Sequence, residues 1–120
     1  MKKFTLDFSI GGFGSENHKI FNEDFDLIIE IDFFPTRKTV SQDKWEEFWK
    51  TIDEIDAWRW GKDYFNQDVH DGTQWELVID RKNKRRRRIF GSNDYPSNFK
   101  LLLDAINKLA DTNLVHDGEE

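Results

Sequence analysis

Phe4, Leu6, Phe8 and Ile10 alternate with Thr5, Asp7 and Ser9, the two-residue period of a half-buried strand. A longer alternation follows over residues 24–33. Phe25, Leu27, Ile29, Ile31 and Phe33 share one side, and Asp24, Asp26, Ile28, Glu30 and Asp32 share the other. One side predicts core and the other water, as in an antiparallel sheet with an open face. After Pro35 the period changes. Trp45, Phe48, Trp49, Ile52 and Ile55 form a helical stripe, with Ser41 as a candidate N-cap and Asp43 favourable in the first turn. Trp58, Trp60, Tyr64 and Phe65 predict a third strand, and Trp75 to Asp80 a fourth beyond an Asp71-Gly72 turn. Arg81 to Lys84 reads as the next turn, and Arg85 to Phe90 as a fifth strand ending at Gly91. Phe99, Leu102, Leu103, Ile106, Leu109 and Ala110 repeat the helical stripe.

The predicted order is β-β-α-β-β-β-α. Two helices, each apolar on one side, need an apolar sheet face to cover. The expected fold is therefore α+β, a two-layer sandwich with an antiparallel sheet of about five strands and both helices on one face. Residues 1–115 suffice for a single domain, followed by a frayed acidic tail at 116–120.

Composition sharpens this outline. Eleven Phe, five Trp and two Tyr mark a packed interior rather than a disordered chain. The chain has no cysteine, which removes disulfides, thiolate metal sites and a cysteine nucleophile. No apolar run reaches the roughly 18 residues of a membrane span, and Asp7 and Ser9 interrupt any signal-peptide core. A soluble, cytoplasmic protein without a membrane partner is expected.

The net charge of −6 is unevenly spread: residues 1–80 carry −9, residues 81–88 carry +7 and residues 89–120 carry −4. An acidic balance argues against a dedicated DNA binder. It favours a basic partner for the open face that bears Asp24, Asp26, Glu30 and Asp32. The basic run suggests a second reading, nucleic-acid or polyanion binding through the hairpin 81–88 with Tyr95 or an exposed Trp stacking on bases. Strand geometry limits that reading. Either Arg85 and Arg87 or Arg86 and Arg88 must turn toward the helices, leaving the other pair on the open side. Arg86 and Arg88 are carried forward as the candidate open-face pair, with carboxylates such as Asp80 as their natural partners.

Candidate catalytic chemistry is sparse. Asn66, Asp68, His70 and Asp71 before Gly72 resemble a calcium loop, but counting back from Gly72 puts Val69 and Gln67 at ligand positions. An enzyme using Asp68, His70 and Asp71 ranks behind both binding readings. Gly11-Gly12-Phe13-Gly14 lacks the lysine of a phosphate-binding loop and reads as a turn or bulge. No metal site, cofactor or catalytic residue is expected.

The stretches Asp71-Gly72-Thr73-Gln74-Trp75-Glu76-Leu77 and Gly91-Ser92-Asn93-Asp94-Tyr95-Pro96-Ser97-Asn98-Phe99 resemble small bacterial proteins of unassigned function with a DG-x-x-W-x-L then G-x-N-x-YP-x-NF pattern. Trp45, Trp58 and Tyr64 suit the same pattern. A fainter similarity, through Gly11-Gly12-Phe13 and the element order, is to small proteinaceous inhibitors of metallopeptidases. The expectation is a non-enzymatic binding module of inhibitor or immunity type.

Overall fold

The computed structural model describes residues 4–12, 16–66 and 72–115. Seven strands form one sheet: β1 (Thr5–Gly12), β2 (His18–Glu23), β3 (Asp26–Ile31), β4 (Phe34–Thr39), β5 (Asp63–Phe65), β6 (Thr73–Asp80) and β7 (Arg87–Ser92). Helix α1 (Gln42–Glu54) and a short 3₁₀ turn (Ala57–Arg59) lie between β4 and β5, and α2 (Phe99–Ala110) follows β7. The spatial order is β4-β3-β2-β1-β6-β7-β5. Every pairing is antiparallel except that of β5 with β7. The α+β class holds, with two strands more than the periodicity predicts.

The extra strands have a clear cause. The alternation over 24–33 continues through the sequence, but the backbone breaks it at both ends. Asp24, Asp32 and Phe33 have positive φ, at 54°, 49° and 74°. Each break is a two-residue hairpin loop, and left-handed geometry is what such tight reversals require. β3 is thereby shortened to six residues, and β2 and β4 flank it in register, Ile20 beside Ile29 and Ile29 beside Thr36. Pro35 lies inside β4 rather than before the helix. β4 pairs only with β3, so Pro35 stands on an edge strand, where a residue without an N–H is tolerated and discourages further pairing.

The expected third strand shrinks to β5, because Trp58 belongs to the 3₁₀ turn and Trp60 closes it. The fifth strand starts later, at Arg87, and runs on through Gly91 to Ser92. Gly91 pairs with Trp75 in the ladder, and the indole takes the space a side chain would need: a Cβ at 91 would meet the indole Nε1 at 2.0 Å. Gly11 and Gly12 extend β1 opposite Gln74 and Thr73 instead of forming a turn.

Alternate strand residues build the core. Leu6, Phe8 and Ile10 meet Ile79, Leu77 and Trp75 across β1 and β6, with Ile20, Leu27, Ile29 and Ile89 on the same side. Trp45, Phe48, Trp49 and Ile52 of α1 and Phe99, Leu102, Leu103 and Ile106 of α2 cover them. Burying each such side chain stabilises the fold by about 1.5–3 kcal/mol. Ser41 caps α1 as expected, its Oγ accepting from the Lys44 N–H at 3.3 Å. Asn98 joins the helices, donating its side-chain N–H to the Ile55 carbonyl at 2.7 Å. Trp45 Nε1–H donates to the Phe25 carbonyl at 2.7 Å and ties α1 to the β2–β3 loop. Among the described residues no helix is long and apolar enough to cross a membrane.

Candidate functional site: the open face of the sheet

The helices leave the second face of the sheet uncovered, and the strand register fixes what it displays. One row across the sheet reads Pro35, Glu30, Lys19, Ser9, Glu76 and Phe90. The next reads Arg37, Ile28, Phe21, Asp7, Val78 and Arg88. Three carboxylates, Asp7, Glu30 and Glu76, and three cations, Lys19, Arg37 and Arg88, share these rows, and the cations are largely spoken for. Arg37 bridges Glu23 and Asp26, with Nη1 2.8 Å from Asp26 Oδ2, and Arg88 binds Glu76. These partners hold both guanidinium pKa values above their ordinary range, Glu23 dominating at Arg37 and Glu76 at Arg88.

Asp7 lies at the middle of this face. Burial pushes its carboxyl pKa up; Lys19, 4.0 Å away, and Arg88 pull the other way, against the charges of Glu76 and Glu30. Three carboxylates thus crowd the centre, with Lys19 at the edge of contact. Beside them a cleft of about 730 Å³ opens along the upper end of the sheet, lined among others by Lys19, Glu30, Phe33, Glu76 and Phe90. It is large enough for a side chain or short peptide segment.

The residues singled out from the sequence separate into groups. Asp26 and Glu30 do lie on the open face; Asp26 is paired, whereas Glu30 has no ion pair among the described residues. Asp24 and Asp32, expected beside them, occupy the two hairpin loops instead. The Asp24 carbonyl accepts from Asn22 Nδ2, and Asp32 Oδ1 accepts from the Asn17 N–H at 2.9 Å. Both are aspartates, a residue type that tolerates left-handed φ. Arg86 pairs with Asp80 at 3.1 Å. Arg88 is the open-face arginine, and Arg87 turns toward the helices, where its guanidinium donates to the Trp58 and Trp60 carbonyls. Tyr95 stacks on Trp75 at 6.4 Å and packs against Phe99 at 4.9 Å.

Two more cations of the basic run, Arg81 and Lys84, lie against the tryptophans of α1 and the 3₁₀ turn. Arg81 lies 5.1 Å over the Trp49 ring and 3.6 Å from Asp53, and Lys84 lies 5.7 Å over Trp58. Trp58 stacks on Trp49 at 6.0 Å and donates its Nε1–H to Asp53 at 2.7 Å. The last turn of α1 has no basic residue of its own, so Arg81 supplies the positive charge that its C-terminal dipole favours.

Asp7, Glu76 and Phe33 belong to the site and escape a strand-by-strand reading. Asp7 carries a signal, being polar within an alternating strand, but only the order β2-β1-β6 brings it beside Glu30 and Glu76. Asp68, His70 and Asp71 lie outside the described residues, as do Phe13 and His116. Among the described residues no cluster of three or more His, Asp or Glu could hold a metal ion. No protein-family model matches the chain, and no curated protein matches it.

Proposed function

We propose that this chain is a small non-enzymatic binding module of inhibitor or immunity type, whose open sheet face receives a basic protein. One observation carries this reading: the register places Asp7, Glu30 and Glu76 together beside the cleft, where burial holds the Asp7 carboxyl above its ordinary pKa although Lys19 and Arg88 lie close by. A lysine or arginine docked there would pair with these carboxylates, and charge complementarity of this sort sets partner choice and association rate. The alternative, polyanion binding through 81–88, has less support, because Arg81, Arg86, Arg87 and Arg88 already hold partners within the chain.

The pH dependence follows from the direction of the Asp7 shift. A carboxyl whose folded pKa is raised favours its protonated form in the fold. The free protein therefore loses stability as pH rises from the ordinary value of 3.8 through the raised one. A cationic partner lowers that pKa again, so affinity should increase over the same window, and Asp7→Asn should abolish the increase. Titration calorimetry across that range checks it.

Immobilised protein should retain a basic protein from an extract of its host at low ionic strength and release it as salt rises. Glu30→Lys should lose it. Retention of nucleic acid instead, abolished by replacing Arg85 to Arg88 with Ser, would overturn the proposal.

A further inference from the structure

Seven residues other than glycine hold positive φ among the described residues: Asp24, Asp32, Phe33, Asp56, Asn83, Asn93 and Asp111. Six are Asp or Asn, whose short polar side chains accept left-handed geometry. Phe33 is the exception. Its hairpin loop would form more readily with Asn or Gly at that position, the residues such two-residue turns prefer. The ring that replaces them is not recovered by packing, for Phe33 is 84% exposed and its neighbour Phe34 79%. Ile31, paired across the strand from Phe34, is also exposed. Three large apolar side chains therefore share one hairpin tip: Ile31 and Phe34 on the helix side of the sheet by register, and Phe33, on strained backbone, lining the open-face cleft. Strain at an exposed bulky residue is a recognised mark of a functional position.

The surroundings of the tip specify a partner. Residues 28–36 contain Glu30 and Asp32 and no Lys or Arg, and Asp32 is hydrogen-bonded to Asn17, next to Glu16. Phe33 also lines the cleft that holds Glu30 and Glu76, with Lys19 between them in the row. An aromatic centre within a rim of like charge is the arrangement of an interface anchor. The acidic rim opposes anionic lipid and would repel a second copy of the same tip. We infer that this hairpin tip, with Phe33 at the edge of the acidic face and Phe34 beside it on the other side of the sheet, is the anchor that engages the partner of that face, inserting into an apolar protein surface rimmed by lysine or arginine. The inference rests on the acidic-face reading above and adds the apolar half of the partner.

Two synthetic peptides of equal length and charge separate the two claims. One alternates Leu and Lys as an amphipathic helix, and the other carries Ser in place of Leu. The wild-type protein should bind the Leu/Lys peptide about tenfold more tightly than the Ser/Lys peptide, by fluorescence anisotropy at low salt. Phe33→Asn combined with Phe34→Ser should remove that margin and leave Ser/Lys binding unchanged, whereas Glu30→Gln should weaken both. If neither peptide binds, the acidic-face reading fails and this inference with it. If Ser/Lys binds but the margin is absent, or survives in the double variant, the anchor alone fails. The double variant should melt no lower than wild type, since Asn fits the left-handed position; a lower midpoint would make the rings structural and overturn the inference. So would Phe33-dependent binding to phosphatidylglycerol vesicles, or a Phe33-dependent dimer in sedimentation.

Discussion

Two hairpins of this protein invert what their sequences advertise. The β6–β7 hairpin carries the most conspicuous run in the chain, seven cations within residues 81–88. The β3–β4 hairpin has no motif, only an Asp-Phe pair at its turn. In the folded chain the first is folded back on the protein. Arg81 and Lys84 lie over the two stacked tryptophans, Arg87 donates to backbone carbonyls, and Arg86 and Arg88 have carboxylate partners. The second projects Phe33 and Phe34 into water. Composition marks where charge is, and topology decides whether it is available. A cation run beside a carboxylate-rich sheet and the C-terminus of a helix finds partners at home.

The contrast can be tested by substitution. The largest effect should come from Gly91→Ala, near the end of β7 away from the basic hairpin. The new Cβ would overlap the Trp75 indole, itself fixed by a 3.0 Å hydrogen bond to the Asp94 carbonyl and by Phe99 at 4.6 Å. Overpacking of this kind should cost about 3 kcal/mol in urea unfolding. Arg87→Ala should come next, at about 2 kcal/mol, because it leaves the Trp58 and Trp60 carbonyls without their charged donor. A loss below about 0.5 kcal/mol would mean that water replaces the guanidinium and that the hairpin is not held by it. The smallest effect belongs to the other hairpin: Phe34→Ser should change stability by no more than about 0.5 kcal/mol. A larger loss would remove the distinction between a hairpin that supports the fold and one that does not.

How far the sequence reveals this architecture depends on which physical effect fixes each element. Both helices are legible from residue spacing, since a stripe at Trp45, Phe48, Trp49 and Ile52 has no other economical burial. The Ser41 cap is equally local. The sheet's open face is legible from Asp26 and Glu30, whose alternation with Leu27 and Ile29 can be read directly. Strand boundaries in the N-terminal half are not. Alternation continues unbroken from Phe25 to Phe33 while the backbone reverses twice, because Asp24, Asp32 and Phe33 adopt a geometry that periodicity does not encode. Phe33 therefore reads as core and is exposed. The stretches Gly72 to Leu77 and Gly91 to Phe99 supply architecture: Trp75 and Leu77 are buried, and Tyr95 packs on Trp75 and Phe99. The central acidic group was out of reach for another reason. Asp7, Glu30 and Glu76 come from three strands spread over most of the chain, and only pairing brings them together.

The placement of β1 has a consequence for how the chain assembles. It is first in sequence yet central in the sheet, between β2 and β6. Its pairing with β2, and the meander on through β4, join near neighbours and can form early, while the β1–β6 ladder must close a loop of about sixty residues. During synthesis the first four strands emerge before β6 exists, so the inner edge of β1 waits without its partner. On the far side Pro35 and the charged residues of β4 discourage pairing with another chain, but β1 carries no such guard. Its protection is arrival of the second half, and slow delivery of β6 is the step at which this protein is most exposed to aggregation.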